Sequence, residues 1–440
     1  MNFSQVSKYL EDALIFGIKP SLIRINKILE LMGDPHKDTD FIHIVGTNGK
    51  TSTVVMLAEI LKGQGLKSAY HISPHISSYA ERIWVDGTDM TEEKFADTFD
   101  QIYPYIEEVN SLDLGGPITQ FEIITAMAFA AAASSDTEVM VLEAGMGGRW
   151  DATNAADAKV VGLTGVSLEH TKILGNTIPK IAAEKVEVIK KGARAATISD
   201  DPEVLDIIEK KASSMGAELY LYSRDFSISS RESRDLSGWK IGLEGIYSKY
   251  NGIEISLIGD YQPLNLSLAI VLAELYMDTI NRKLDASLIN SSLAGIYVKG
   301  RLEMIKKDPQ VFSDVSHNPE GMDKFSKVME KYFKSKKKTI IFAVLADKDY
   351  GAMIRKVLRV ADRLILTSSH TDRSLPVAEL QQKTEEIMEK RSDGIKMPTE
   401  VYAMDSVENS LNYALKISGT NDIICITGSP TNLAGLDRII

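Results

Sequence analysis

The chain has 440 residues, of which 44% are hydrophobic and 25% charged, and its net charge is −11. This is the composition of a globular protein with room for two cores, and it excludes a dominant disordered region. The acidic balance argues against a large nucleic-acid footprint, while a single cysteine, Cys425, leaves no internal disulfide and fits a reducing cytoplasm.

The opening MNFSQVSKYLEDALIF carries charges inside its apolar pattern and reads as neither an export signal nor a membrane anchor. FIHIV, ending at Val45, reads as a buried strand, and TVVMLAEILK, ending at Lys62, as a helix. Across their junction runs IVGTNGKTST, residues 44 to 53, which places a glycine turn, a lysine and hydroxyls where a strand enters a helix. Backbone N–H groups of such a turn point at phosphate oxygens, and the helix N-terminus adds a favourable dipole. Thr47, Asn48, Gly49, Lys50, Thr51 and Ser52 are therefore candidate phosphate-binding residues, with Lys50 as a point charge and Thr51 in reach of Mg²⁺. The spacing is shorter than that of the generic P-loop, whose first glycine would fall at Ile44.

SAYHIS reads as the next strand, and SPHISSYAERIWVDG after it gathers Ser73, His75, Glu81 and Arg82; taken alone, Ser-Pro is only a loop start. Helices are expected near Glu92 to Val109 and from Phe121, where FEIITAMAFAAAA contains Glu122 and is too short to span a bilayer. EVMVLEA and KVVGLTG read as further strands. Glu143 ends the first of them before a glycine run, VLEAGMGGRWDATN, and a carboxylate at such a mouth needs a partner or a cation. His170 follows the second, ahead of a helix bearing Lys185; the bland readings are a satisfied polar histidine and an exposed helix lysine. From Tyr222 to Ile258 the pattern turns β-rich, as hairpins decorating the first domain, before a helix from about Leu264 to Tyr276 with Gln262 and Asn265 at its start.

A break near Lys299 divides the chain into 1–298 and 299–440. In the second part VFSDV, KKTIIFAVLA, RLILTS and DIICITG alternate with helices, Arg301 lies in KGR, and Asp314 and His317 lie in DVSHNPEG at a strand-to-helix junction. The run Lys334 to Lys338 reads as a solvated helix end, and Cys425 as a buried strand residue rather than a nucleophile. The whole rhythm is that of an α/β protein with a mostly parallel sheet in its first domain and a smaller α/β second domain.

The order of these segments resembles the folylpolyglutamate synthase and dihydrofolate synthase family within the Mur ligase superfamily. The resemblance runs over nearly the full chain: GIKPSLIRI, the phosphate loop, SPHISSYAERIWVDG, QFEIITAMAF, LEAGMGGRWDATN, LEHTKILGNTIPKIAAEK, KGRLE, DVSHNPEG, VLADKDY and the terminal TGS. It implies a Mur-ligase-like P-loop ATPase domain followed by a smaller Rossmann-like domain. The implied activity is ATP-dependent addition of L-glutamate to the carboxylate of dihydropteroate or a reduced folate through an acyl phosphate, by a cytoplasmic monomer with no nucleic-acid or membrane partner. By the same resemblance Gly49, Lys50, Thr51 and Ser52 hold the ATP phosphates, Ser73, Glu143 and His170 serve Mg²⁺, and Asn265, Arg301 and Asp314 complete nucleotide binding. Lys185 is implied to be carbamylated and His317 to sit beside the incoming amino acid or acyl phosphate.

Several positions depart from the family pattern. Val298 and Lys299 precede Gly300 where an aromatic and a proline are usual, Tyr261 stands in a place often held by His, and Trp150 stands where Leu is usual. Val186, Glu187 and Val188 replace a small Ala-Gly-Ile after the lysine, and DVSHNP differs from the usual Asp-Gly-Ala-His-Asn-Pro. None touches the ATP chemistry; Trp150 and the Thr119 to Glu122 region bear on which acceptor is taken. Two rivals are weighed against this reading. A Mur-type ligase for a cell-wall nucleotide precursor would need a carrier domain ahead of the phosphate loop, and a nucleotide-binding switch without ligase chemistry would be expected to lack Lys185, His317 or Glu143.

Overall fold

The computed structural model describes residues 1–14, 20–369, 371–390 and 397–436; Gly17 to Lys19 of the opening GIKPSLIRI segment lie outside them. The chain forms two compact units, one from Met1–Glu232, Lys240–Ile255 and Gln262–Ile296, the other from Ser233–Trp239, Ser256–Tyr261 and Tyr297–Ile440.

The first unit is built on strands β1 (Asp40–Val45), β2 (Ser68–His71), β3 (Ile83–Val85), β4 (Thr88–Asp89), β5 (Val139–Glu143), β6 (Val160–Leu163), β7 (Arg194–Thr197) and β8 (Glu218–Leu221). They make an 8-stranded sheet in the order β4-β3-β2-β5-β1-β6-β7-β8. All neighbours pair in parallel except β2 with β3 and β3 with β4. The central strands are apolar at nearly every position because both faces are covered, so they show no alternation in the sequence. Helix α1 (Lys50–Gly63) is buried along most of its length, and so is α2 (Gln120–Ser134), whose alanine-rich sequence fills the core. Among the described residues no helix is long and apolar enough to cross a membrane.

Topology decides where ligands can go. The chain leaves β1 toward β2 and leaves β6 toward β7, so the connections diverge from the adjacent pair β1 and β6. A crevice opens at the carboxyl ends of strands where connections diverge in this way. The carboxyl ends of β2, β5, β1 and β6 lie side by side on that edge, and at or just after them come Ser73, Glu143, the phosphate loop and His170 respectively.

The β-rich stretch forms a 3-stranded sheet of β9 (Ser227–Ser233), β10 (Trp239–Glu244) and β11 (Lys249–Ile255), in the order β11-β10-β9. Its strands belong almost wholly to the first unit, and the segments Ser233–Trp239 and Ser256–Tyr261 are grouped with the second.

The second unit carries β12 (Arg301–Lys307), β13 (Gln310–Asp314), β14 (Lys338–Phe342), β15 (Arg363–Leu366), β16 (Glu400–Ala403) and β17 (Ile423–Thr427) in the order β12-β13-β17-β14-β15-β16. Only β12 pairs antiparallel. Cys425 lies buried in β17, as its setting predicts. The lysine run departs from its reading as a solvated helix end. Helix α5 (Pro319–Tyr332) stops before it, and Lys338 is a buried strand residue. The ammonium of Lys338 donates to the carbonyls of Phe333 (3.1 Å) and Lys336 (2.8 Å) and pairs with Asp362 at 3.3 Å. Those partners answer the desolvation of a charge that the local sequence would put in water.

Candidate active site

The phosphate loop is shaped by two glycines at which any side chain would be strained. Gly46 and Gly49 have φ of 144° and 94°, and a Cβ added to them would lie 1.7 Å from Thr164 Oγ1 and 2.5 Å from Asn265 Oδ1. The loop is strapped to the segment after β6: Thr47 N–H donates to the Gly165 carbonyl at 2.8 Å, Thr47 Oγ1 donates to Ser167 O at 3.2 Å, and Asn48 bridges to Gly165. Gly49 caps α1 and, having no side chain, satisfies none of that helix's first N–H groups. Those donors and the positive end of the helix make an anion seat. The Ser52 hydroxyl accepts from Gln262 Nε2 at 3.4 Å, which ties the first turn of α1 to that glutamine. Gln262 in turn accepts from Asn265 Nδ2 at 3.0 Å, both on helix α4 (Gln262–Thr279), which fixes the Asn265 amide beside Gly49.

Two lysines converge on one carbonyl. Lys50 Nζ donates to the oxygens of Gly46 and Thr47, each at 3.1 Å, and Lys185 Nζ donates to Gly46 O at 2.6 Å. Lys185 ends helix α3 (Ile178–Lys185) and is only 3% exposed, which rules out the exposed-lysine reading. Burial pulls its pKa down to about 7; nearby Lys50 adds to the shift, while Glu169 and Asp151 oppose it. Close to neutral pH a large fraction of this amine is therefore uncharged and nucleophilic.

Glu143, 2% exposed, ends β5 beside Ile44 of β1, and its Oε1 accepts from Thr51 Oγ1 at 3.1 Å. Ser73 follows β2 by two residues and is partly buried. His170 caps the short helix Thr171–Leu174 with φ of 49°, its Nε2 lying 3.4 Å from Glu169 Oε1. Among the described residues no group of three His, Cys, Asp or Glu is arranged to hold a metal unaided. Mg²⁺ does not require one, because it keeps most of its water and binds through one or two carboxylates together with substrate phosphates. A buried carboxylate already facing the loop threonine, with Ser73 on a neighbouring loop, is a hard-oxygen set that fits such an ion.

In the second unit Asp314 ends β13, buried, and accepts the N–H groups of Ser316 (2.9 Å) and Leu302 (3.3 Å); burial pushes its pKa up while those bonds and Arg301 oppose it. Arg301 pairs with Asp314 in the β12 to β13 register. His317 Nδ1 lies 2.8 Å from Val315 O, so that nitrogen carries a proton and donates to the carbonyl. Asn318 caps α5 by accepting from Gly321 N–H at 2.7 Å.

The glycine-arginine motif turns out to position the Lys185 helix. A Cβ on Gly148 would meet the carbonyl oxygens of Lys185 at 2.6 Å and Glu184 at 2.8 Å, so the loop and the helix end touch backbone to backbone. Arg149 clamps them, its N–H donating to Glu184 O at 3.0 Å and its guanidinium pairing with Glu184 at 3.2 Å and Glu187 at 3.4 Å. Asp151 accepts Met146 N–H at 2.7 Å and the Thr153 hydroxyl. A hydroxyl has one proton, so Thr153 Oγ1 accepts from His43 Nε2 at 2.8 Å. Fully buried His43 on β1 thus braces the glycine loop from beneath. Nothing in FIHIV distinguishes this histidine, because its partners are more than a hundred residues away.

Three neutral histidines make the first unit acid-labile. Burial is the main cause that holds His43 at about 3, His71 at about 4 and His75 at about 3, against an ordinary 6.5. Between 6.5 and those values the unfolded chain binds more protons than the fold, so stability falls as pH falls, by up to about 1.4 kcal/mol per pH unit for each group. The urea midpoint at pH 5.5 is expected well below that at pH 7.5; equal midpoints would show that these rings are already charged in the fold.

Residues 44–273 match the Mur ligase middle domain and residues 300–430 the Mur ligase glutamate ligase domain. The chain is 30% identical over 432 residues to the dihydrofolate synthase/folylpolyglutamate synthase of Bacillus subtilis (strain 168), covering 97% of this chain and 96% of that one. It is 30% identical over 381 residues to the folylpolyglutamate synthase of Lacticaseibacillus casei, covering 86% and 88%. The structure of Mycobacterium tuberculosis folylpolyglutamate synthase complexed with ADP superposes with a TM-score of 0.90 at 29% identity, covering 99% of this chain and 97% of that one.

Proposed function

Because this chain belongs to the folylpolyglutamate synthase/dihydrofolate synthase family of Mur ligases, we propose a mechanism in which its two lysines on the Gly46 carbonyl and its Thr51–Glu143 pair serve one acyl-phosphate reaction. The protein is an ATP-dependent ligase that joins glutamate to a folate-type carboxylate. The acceptor is dihydropteroate, a reduced folate, or both in turn, and the enzyme works as a cytoplasmic monomer.

A carboxylate resists attack by an amine until one of its oxygens becomes a leaving group. Transfer of the ATP γ-phosphoryl to the acceptor carboxylate provides that leaving group, the α-amine of glutamate then attacks the carbonyl carbon, and phosphate departs. The N–H groups of Gly49 and of the first turn of α1 seat the phosphates, while Thr47 N–H stays on the Gly165 carbonyl. Lys50 exchanges its two loop carbonyls for phosphate oxygens and offsets charge that builds during transfer. Asn265, Arg301 and Asp314 are the further residues we assign to the nucleotide. His317, whose Nδ1 is held by Val315 O, positions the glutamate amine or the acyl phosphate through Nε2.

Thr51, Ser73, Glu143 and His170 would hold Mg²⁺, joined by Lys185 in carbamylated form. When bound, the ion supplies charge neutralisation at the phosphates. A free ammonium at Lys185 would repel it. The depressed pKa supports modification: the neutral amine attacks the carbon of CO₂, an N–C bond forms as one C–O π pair moves to oxygen, and the nitrogen loses a proton to solvent, leaving an anionic carbamate. The observation that carries this reading is the Lys185 amine buried against the phosphate loop.

The test is ADP release by the purified protein with ATP, Mg²⁺ and glutamate, supplying dihydropteroate or tetrahydrofolate separately and weighing the products by mass spectrometry. Glutamate-dependent turnover with each acceptor sorts synthase from polyglutamylase. No turnover with either would overturn the acceptor assignment.

A further inference from the structure

We propose that Glu303 is a positioning residue that sets the direction of Arg301, and so controls nucleotide affinity without touching the nucleotide; this rests on the nucleotide role given to Arg301 above. Arg301 stands between two left-handed residues, Gly300 with φ of 64° and Leu302 with φ of 50°. Leucine does not hold that conformation unless its surroundings impose it. The β12 to β13 pairing is also interrupted between Arg301 and Glu303, where the register shifts. Such a bulge re-aims a side chain on the strand that carries it.

The constraint comes from two carboxylates. Asp314 takes the Leu302 N–H at 3.3 Å. Glu303 gathers three donors: Gly300 N–H at 2.7 Å and Ser313 Oγ at 3.1 Å on Oε2, and the Tyr297 hydroxyl on Oε1. It therefore ties both ends of the turn 297–303 to strand β13, one residue from Asp314. Val315 N–H to Gly300 O at 2.9 Å and Arg301 N–H to Val298 O at 3.2 Å complete the turn. The carboxylate of Glu303 is engaged with the protein's own donors, so its contribution to the reaction passes through Arg301.

The chemistry predicts how substitutions rank. Glutamine keeps one carbonyl oxygen for Gly300 and Ser313, and its amide can donate to the Tyr297 oxygen, whereas alanine abandons all three donors. Equilibrium binding of ADP alone is measured by calorimetry for the wild type, Glu303→Ala, Glu303→Gln, Arg301→Ala and the double variant Glu303→Ala/Arg301→Ala. Glu303→Ala is expected to raise the ADP Kd about tenfold, Glu303→Gln to stay within about threefold of the wild type, and the double variant to bind no worse than Arg301→Ala. Losses that multiply in the double variant overturn the inference, because a general structural role is additive with loss of the arginine. Normal ADP binding by Glu303→Ala beside weakened binding by Arg301→Ala overturns the inference alone. Normal binding by Arg301→Ala removes the nucleotide role of that arginine and the inference with it. If Glu303→Ala does not fold, Tyr297→Phe, which removes a single donor, is held to the same non-additivity with Arg301→Ala.

Discussion

Replacing Lys185 by alanine is expected to lower turnover by at least about a hundredfold, the scale on which removing one stabilising group at developing charge acts. Lys185 reaches the Gly46 carbonyl at 2.6 Å, so whatever its terminal group becomes lies against the phosphate loop. As a free ammonium it would share that carbonyl with Lys50 and raise the local positive charge; as a carbamate it would supply an anionic oxygen beside Lys50 at the phosphate loop. The two forms predict different responses to a small carboxylic acid. In Lys185→Ala the vacated stem leaves room for acetate or formate, whose carboxylate can stand in for the carbamate and restore part of the rate. Turnover is followed by ADP release at rising acetate concentration, with the wild type as control. Rescue in the variant and none in the wild type supports the carbamate. Full activity of Lys185→Ala without any additive would refute the assignment.

Gly148→Ala is expected to cut kcat by about ten- to a hundredfold while costing about 1–3 kcal/mol of stability, the range for an overpacked contact. The added Cβ would meet backbone oxygens of Lys185 and Glu184, at 2.6 and 2.8 Å, and no rotamer of another residue can relieve that clash. The loop cannot yield easily. Asp151 holds Met146, and Arg149 binds Glu184 through both its N–H and its guanidinium. The helix end that carries Lys185 must therefore move, and if Lys185 serves the reaction as proposed a displacement of that size is felt in the chemical step. Thermal unfolding and initial rates together check this: a stability loss with unchanged kcat would show that the contact shapes the fold and not the site.

Much of the fold and site is legible in the residues, for reasons that differ from element to element. FIHIV, VMVLE and IICIT announce buried strands because apolar runs bounded by turn residues can satisfy both faces of a parallel sheet. The phosphate loop is readable because it is local: positive φ, lysine and hydroxyl all lie within a few residues of one strand end. Glu143 stands out as a carboxylate that ends an apolar strand. The lysine run at Lys334 to Lys338 shows the reverse case. Its charge density reads as solvated, yet Lys338 is buried, and the carboxylate of Asp362 that accounts for this comes from a different strand connection. His43 is silent in the sequence for the same reason, its role depending on Thr153 and Asp151. Glu303 is visible only as the last letter of KGRLE until Tyr297, Gly300 and Ser313 are seen converging on it.

The sequence by itself determined the α/β alternation, the phosphate cradle and the residue types available for chemistry, since each depends on periodicity or turn geometry within a short window. Tertiary structure alone decided the state of those residues. Lys185 and Gly46 are 139 positions apart, and only packing brings that amine out of water, beside a second cation and onto a carbonyl it shares. Charge state follows from desolvation and neighbours, which are properties of the assembled fold and not of any segment.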